Sequence, residues 1–219
     1  MAVRIAAIFI KSCLLAMLSL AAFGALAPNP QELDQRVRAF LDSRRGEWRD
    51  MNVSANDGKI LYDLVIKGNY KRALEIGTST GHSGIWIAWA LSKTGGKLIT
   101  IEIDEGRYNE ALANFKEAGL SSYIDARLAE AHELVPGLKG PFDFVFCDAD
   151  KDWYKEYLIA VLPKLDVGGC FAAHNVSARR RGWGSGEFLA YLEGLPNTET
   201  TFAPGSTGGI SITYKRAAK

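Results

Sequence analysis

A chain of 219 residues, 47% hydrophobic and 23% charged, is long enough to bury one core and too short for two comfortable domains. With 26 Lys and Arg against 25 Asp and Glu it lacks the dense basic face that nucleic-acid binding needs, so no such partner is expected. Cys13, Cys147 and Cys170 lie in apolar stretches without metal-ligand spacing and read as core residues, a Cys147–Cys170 bridge being the alternative.

Arg4 and Lys11 precede an uncharged stretch, residues 12–27, that ends in Ala25-Leu26-Ala27 before Pro28. This is the layout of a secretory signal peptide cleaved after Ala27, followed by one domain over residues 28–219. An uncleaved membrane anchor is the second reading: the stretch is short of the about 20 residues of a span, but residues 5–10 extend it. Export or anchoring through residues 1–27 is therefore expected. A cytoplasm-facing anchor is the alternative, because Arg36, Arg38, Arg44 and Arg45 compete with Arg4 and Lys11 in the orientation rule.

Leu33, Val37, Phe40 and Leu41 recur at helical spacing among charges and predict an amphipathic helix over residues 30–45. Ser54, followed by Asp57-Gly58 and the apolar series Ile60, Leu61, Leu64 and Val65, predicts an N-capped helix ending near Gly68-Asn69. Short apolar runs then alternate with helical segments: strand 72–77, helix 81–92, strand 97–104, helix 105–118, weak strand 123–128, strand 142–148, helix 153–165 and strand 169–174. Near-continuous apolar strands separated by helices imply a parallel sheet covered on both faces. After a helix over 187–192, the alternating runs 198–202 and 209–214 flank Pro204-Gly205-Ser206-Thr207-Gly208 and form an antiparallel hairpin. The expected architecture is α/β, a class I methyltransferase Rossmann-like fold with a mostly parallel seven-stranded sheet, helices on both faces and a C-terminal antiparallel hairpin.

The most informative segment runs from Ala73 through Glu75, Gly77, Ser79 and Gly81 to Ser83 and Gly84, a strand entering a glycine-bearing turn and then a helix. Glycine lets a backbone approach a ligand closely. A dinucleotide site wants Gly-x-Gly-x-x-Gly; the spacing Gly77-x-Ser79-x-Gly81, with acidic Glu75 at the strand end, suits the methionine part of S-adenosylmethionine instead. Glu102, with Ile103 beside it, ends the next strand 25 residues after Gly77, where a carboxylate accepts from ribose hydroxyls.

On these motifs the chain, from about Trp48 to Tyr214, resembles the catechol and caffeoyl-coenzyme-A O-methyltransferases. The resemblance implies that Met51, Asn52 and Val53 line the cofactor, Gly77, Ser79 and Ser83 hold its methionine end, Glu102 its ribose, and Ala131-His132 its adenine edge. It places the chemistry in Phe144-Val145-Phe146-Cys147-Asp148-Ala149-Asp150-Lys151-Asp152, where Asp148 matches a metal ligand that also borders the cofactor, and Lys151 the general base. It implies a small phenolic, catechol-like acceptor, a divalent cation and a monomer or homodimer.

The main departure is Ala173-His174-Asn175, where the family has an Asp-Asn pair that completes the metal site. Mg²⁺ prefers hard oxygen ligands and imidazole suits softer ions. With Asp148, His174 and Asn175 as the set, either the metal is softer than Mg²⁺, or it binds weakly, or His174 is a general base without metal. Glu199 matches the acid that orients the acceptor's hydroxyls together with Lys151 and Asn175. Arg179, Arg180, Arg181 and Trp183 follow the His174 strand and offer a site for an anionic acceptor or a solvated or membrane-facing loop. A non-catalytic S-adenosylmethionine-binding protein on this fold is the competing function.

Overall fold

The structure, a computed structural model, describes residues 29–177 and 185–217. The apolar leader, Cys13, Arg179 to Arg181 and Trp183 lie outside the described residues. Among those described, no helix is long and apolar enough to cross a membrane.

Helix α1 (Pro30–Ser43) starts where Asn29 accepts from the Gln31 N–H and Pro30 supplies a preset first turn, and it buries Leu33, Val37 and Phe40. Helix α2 (Ala55–Gly68) begins at Ser54, whose hydroxyl accepts from the Asp57 N–H at 3.0 Å, and stops at left-handed Asn69, as its sequence predicts. Five parallel strands with intervening helices follow: β1 (Arg72–Ile76), α3 (His82–Thr94), β2 (Lys97–Glu102), α4 (Glu105–Ala118), β3 (Ile124–Leu128), α5 (Ala131–Gly137), β4 (Phe142–Cys147), α6 (Tyr154–Val161) and β5 (Leu165–His174). Helix α7 (Ser185–Glu193) leads into β6 (Thr198–Phe202) and β7 (Ile210–Lys215).

The seven strands are ordered β3-β2-β1-β4-β5-β7-β6, with β7 antiparallel to both β5 and β6. The chain order reverses between β1 and β4, so a crevice forms beyond the carboxyl ends of these strands. Side chains alternate across the sheet. Phe144 and Phe146 pack with α1 to α4, whereas Val145 and Cys147 pack with α5 to α7. Burial on both faces is why β4 is apolar throughout.

Two details differ from the sequence reading, and a third bears it out. Residues 131–137 form a short helix that was not anticipated, having too few residues for a visible period. Strand β5 begins at Leu165 rather than 169, its register with β4 shifting between Phe142 and Phe144. Cys147 and Cys170 are buried and free; β4–β5 pairing sets Phe144 opposite Cys170 and Cys147 opposite Ala173, which keeps the two thiols on separate rungs.

Candidate functional site

A cleft of about 690 Å³ opens at the carboxyl ends of the central strands. Of the residues assigned to a cofactor by sequence, Met51, Asn52, Gly77, Ser79, Glu102, Ile103, Ala131, His132 and Asp148 line it; of those assigned to acceptor or metal, Asp148, Lys151, His174 and Asn175 do.

The β1–β2 end is built from main-chain groups. Gly77 has φ 95°, and a Cβ there would come within 2.4 Å of the Asp148 carbonyl oxygen, so only glycine lets the turn after β1 press against the turn after β4. Ser79, itself left-handed at φ 48°, donates its N–H to Glu102 Oε2 at 2.7 Å. The N–H groups of Ile103 and Asp104 donate to Glu102 Oε1 at 3.1 and 3.0 Å. Three amides thus orient a nearly buried carboxylate and occupy three of its roughly four acceptor positions. Across the cleft the lining residue His132 is backed by Trp153, the rings stacked with centroids 3.8 Å apart. Arg107 clamps Asp50 through contacts of 2.9 and 3.1 Å and ties the Met51 segment to α4.

Three expected cofactor residues lie off this surface. Val53 is buried, and its carbonyl accepts from His82 Nδ1 at 2.9 Å. Ser83 is buried in the first turn of α3. Glu75 is fully buried beneath the turn: Thr100 donates to its Oε2 at 2.6 Å, while Oε1 has no partner in hydrogen-bond geometry. Burial pushes the Glu75 carboxyl up to about 7, against the nearby hydroxyls of Ser83 and Thr100.

The β4–β5 end is built from side chains. Lys151 Nζ donates to Asp148 Oδ1 at 2.7 Å and to the Ala149 carbonyl at 3.1 Å. His174 Nδ1 lies 3.0 Å from Asp148 Oδ2, within ion-pair range although its N–H direction misses hydrogen-bond alignment. Its Nε2 lies 3.2 Å from Asp57 Oδ2; a carboxylate only accepts, so this nitrogen carries the hydrogen. Asp57 in turn accepts from the Thr207 N–H at 2.9 Å, the Thr207 hydroxyl at 3.0 Å and the Gly208 N–H at 2.9 Å.

Burial alone would raise the Asp57 carboxyl, but hydrogen bonds from Ser206, Gly208, His174 and Thr207 outweigh it and leave its pKa at about 2. Asp148 is likewise held below the usual carboxylate range, burial being overcome by His174 and Lys151. For His174 burial favours the neutral ring, and the carboxylates of Asp148 and Asp57 overcome it, so its pKa is raised. Sequence reading missed Asp57 as a site residue, because an acid in the first turn of a helix is ordinary there.

The donor set does not fit the cation implied by the sequence. Both ring nitrogens of His174 face carboxylates, Asp148 is engaged on one oxygen by Lys151 and on the other by His174, and Asn175 adds only an amide. Among the described residues no group of three His, Cys, Asp or Glu side chains converges to hold a metal ion. Glu199 is also not brought to the cleft. It sits on edge strand β6 with Arg216 Nε donating to it at 2.8 Å, because β7 intervenes between β6 and β5.

The sequence profile of a family described as O-methyltransferase matches residues 28–179. A catechol O-methyltransferase from Niastella koreensis is 41% identical over 130 residues, 58% of this chain and 58% of that protein. A caffeoyl-CoA O-methyltransferase from Populus kitakamiensis is 33% identical over 153 residues, 68% of this chain and 65% of that protein. The match thus spans less than two thirds of the length of these curated relatives. An O-methyltransferase from Bacillus cereus, solved in complex with SAH, shares the fold at TM-score 0.68 and 26% identity, over 89% of this chain and 94% of that one.

Proposed function

The chain belongs to the O-methyltransferase family, and from that premise we propose that it methylates a hydroxyl of a small phenolic, catechol-like acceptor, with S-adenosylmethionine as donor. The observation that carries this reading is a single cleft with Gly77, Ser79 and Glu102 at one end and the Asp148–Lys151 pair at the other. The names of the catechol and caffeoyl-CoA relatives support the phenolic acceptor.

In this reading Glu102 receives one ribose hydroxyl on its remaining acceptor position, the turn over Gly77 and Ser79 carries the methionine end, and Ala131 with His132 borders the adenine. When bound, the cofactor supplies an electrophilic methyl group on a sulfonium. Lys151, fixed on Asp148 and 30% exposed, first passes its ammonium proton to solvent and then, as the free amine, receives the acceptor's hydroxyl proton, a contribution of about 10²- to 10⁴-fold for a positioned base. Asn175, at the cleft wall with φ 59°, directs the acceptor oxygen. No step is assigned to a metal, since the side chains do not fit one.

Calorimetry with S-adenosylmethionine and NAD, followed by mass spectrometry of a catechol panel, tests the proposal. Binding of the former alone and monomethylated products are expected. S-adenosylmethionine binding with no product from any phenol would make the chain a cofactor-binding protein and end the enzymatic reading.

A further inference from the structure

One contact at the acceptor end is left unused by this chemistry: Asp57 on α2 reaches His174 at the end of β5. The family resemblance puts a metal-binding carboxylate at position 174. Here the carboxylate charge is supplied by Asp57 instead, and an imidazole stands between it and Asp148, 3.2 Å from one and 3.0 Å from the other. The side chains of His174 and Asp57 are 8% and 1% exposed, so Asp57 is shut away behind a ring that shows only a small edge to the cleft. The ring is also confined: a Cβ at Gly208 would come within 2.3 Å of Nε2, and the same glycine's N–H holds Asp57. Asp148 accepts a hydrogen bond from Lys151 on Oδ1 and has the His174 ring at ion-pair distance from Oδ2, so protein side chains flank both oxygens.

We propose that His174, clamped between Asp57 and Asp148, takes the place of the divalent cation, so that the acceptor end works without a metal and Asp57 is the positioning residue that keeps the ring there. This deepens the proposed methyl transfer and rests on it for activity measurements; metal binding is measured independently of it.

The test uses the full chain. Metal content is read by elemental mass spectrometry and affinity by calorimetry with Mg²⁺, Mn²⁺, Co²⁺ and Zn²⁺ alone, and methylation of the catechol panel is followed with and without EDTA. The unmodified protein is expected to carry no stoichiometric metal, to give no specific binding heat and to turn over equally in EDTA. Combining Asp57→Asn with His174→Asp restores the carboxylate–amide pair, and this variant is expected to take up Mg²⁺ and become EDTA-sensitive. Asp57→Asn alone should lower kcat without changing the Kd of S-adenosylmethionine, and Asp57→Glu should recover it.

An equivalent of metal bound by the unmodified protein and lost in His174→Asn overturns the proposal. So does turnover lost in EDTA and restored by one of these ions. A Kd for S-adenosylmethionine that weakens in step with kcat in Asp57→Asn overturns the positioning role. If the panel yields no product at all, the proposed reaction fails, and metal content and calorimetry still decide whether this end is metal-free.

Discussion

The two ends of the cleft are held by different kinds of scaffold. At the β1–β2 end three main-chain amides fix one carboxylate, Glu102, and the furthest of them belongs to Ser79, 23 residues away. At the β4–β5 end the orientation of His174 depends on Asp57, 117 residues earlier, which is held by Thr207, 150 residues beyond Asp57 itself. A backbone scaffold survives most side-chain changes, because the amides remain where the turn puts them. A buried network of side chains does not, because removing one member leaves another charged and unpaired.

The sharpest way to break the symmetry between the ends is Lys151→Ala. It is expected to lower kcat by roughly 10²- to 10⁴-fold while the Kd for S-adenosylmethionine stays put, as read by steady-state kinetics beside calorimetry. Next in size is Asp57→Ala, which strips His174 of one partner and the Thr207–Gly208 turn of its anchor. A loss of about 3–5 kcal/mol in urea unfolding is expected, and a loss below about 1 kcal/mol would mean that the network contributes little to folding. At the other end Glu102→Gln keeps the shape and removes the charge. Weakening of S-adenosylmethionine by about 10- to 100-fold is expected, the worth of one charge-assisted hydrogen bond, with a smaller effect on stability than Asp57→Ala.

A further comparison separates the ends by pH. Asp57 has its pKa depressed from 3.8 to about 2, so its contribution is full above 3.8 and is lost as pH falls through about 2. Glu75 is raised from 4.5 to about 7, the opposite sign: the folded state holds the extra proton, and stability falls as pH rises from 4.5 through 7. The decline amounts to about 3 kcal/mol in order of magnitude. In Glu75→Gln the stability curve from urea melts should lose its downward slope over that window; an unchanged slope would assign it to other groups.

Much of the fold is legible in residue order. The alternating apolar runs and helical segments give the five parallel strands and final hairpin, and Ser54 and Asn69 mark the ends of α2 where they stand. Gly77 and Glu102 are legible as well, because a tight turn and a strand-end carboxylate are local features. Glu75, which sequence places at the cofactor turn, lies beneath it, because sequence puts a residue on a strand without saying which face its neighbours close. Glu199 belongs to the site by its neighbours in sequence, but the insertion of β7 between β6 and β5 sets it at the sheet edge.

By itself the sequence determined the order of elements and the glycine turn and strand-end carboxylate at the β1–β2 end, which are local patterns along the chain. Only the tertiary structure decided that Asp57 belongs with His174 and Asp148, within 3.2 and 3.0 Å of the two ring nitrogens. Those pairings join α2, β4, β5 and the β6–β7 loop, and charge complementarity across such separations exists only once the sheet and helices have brought the groups together.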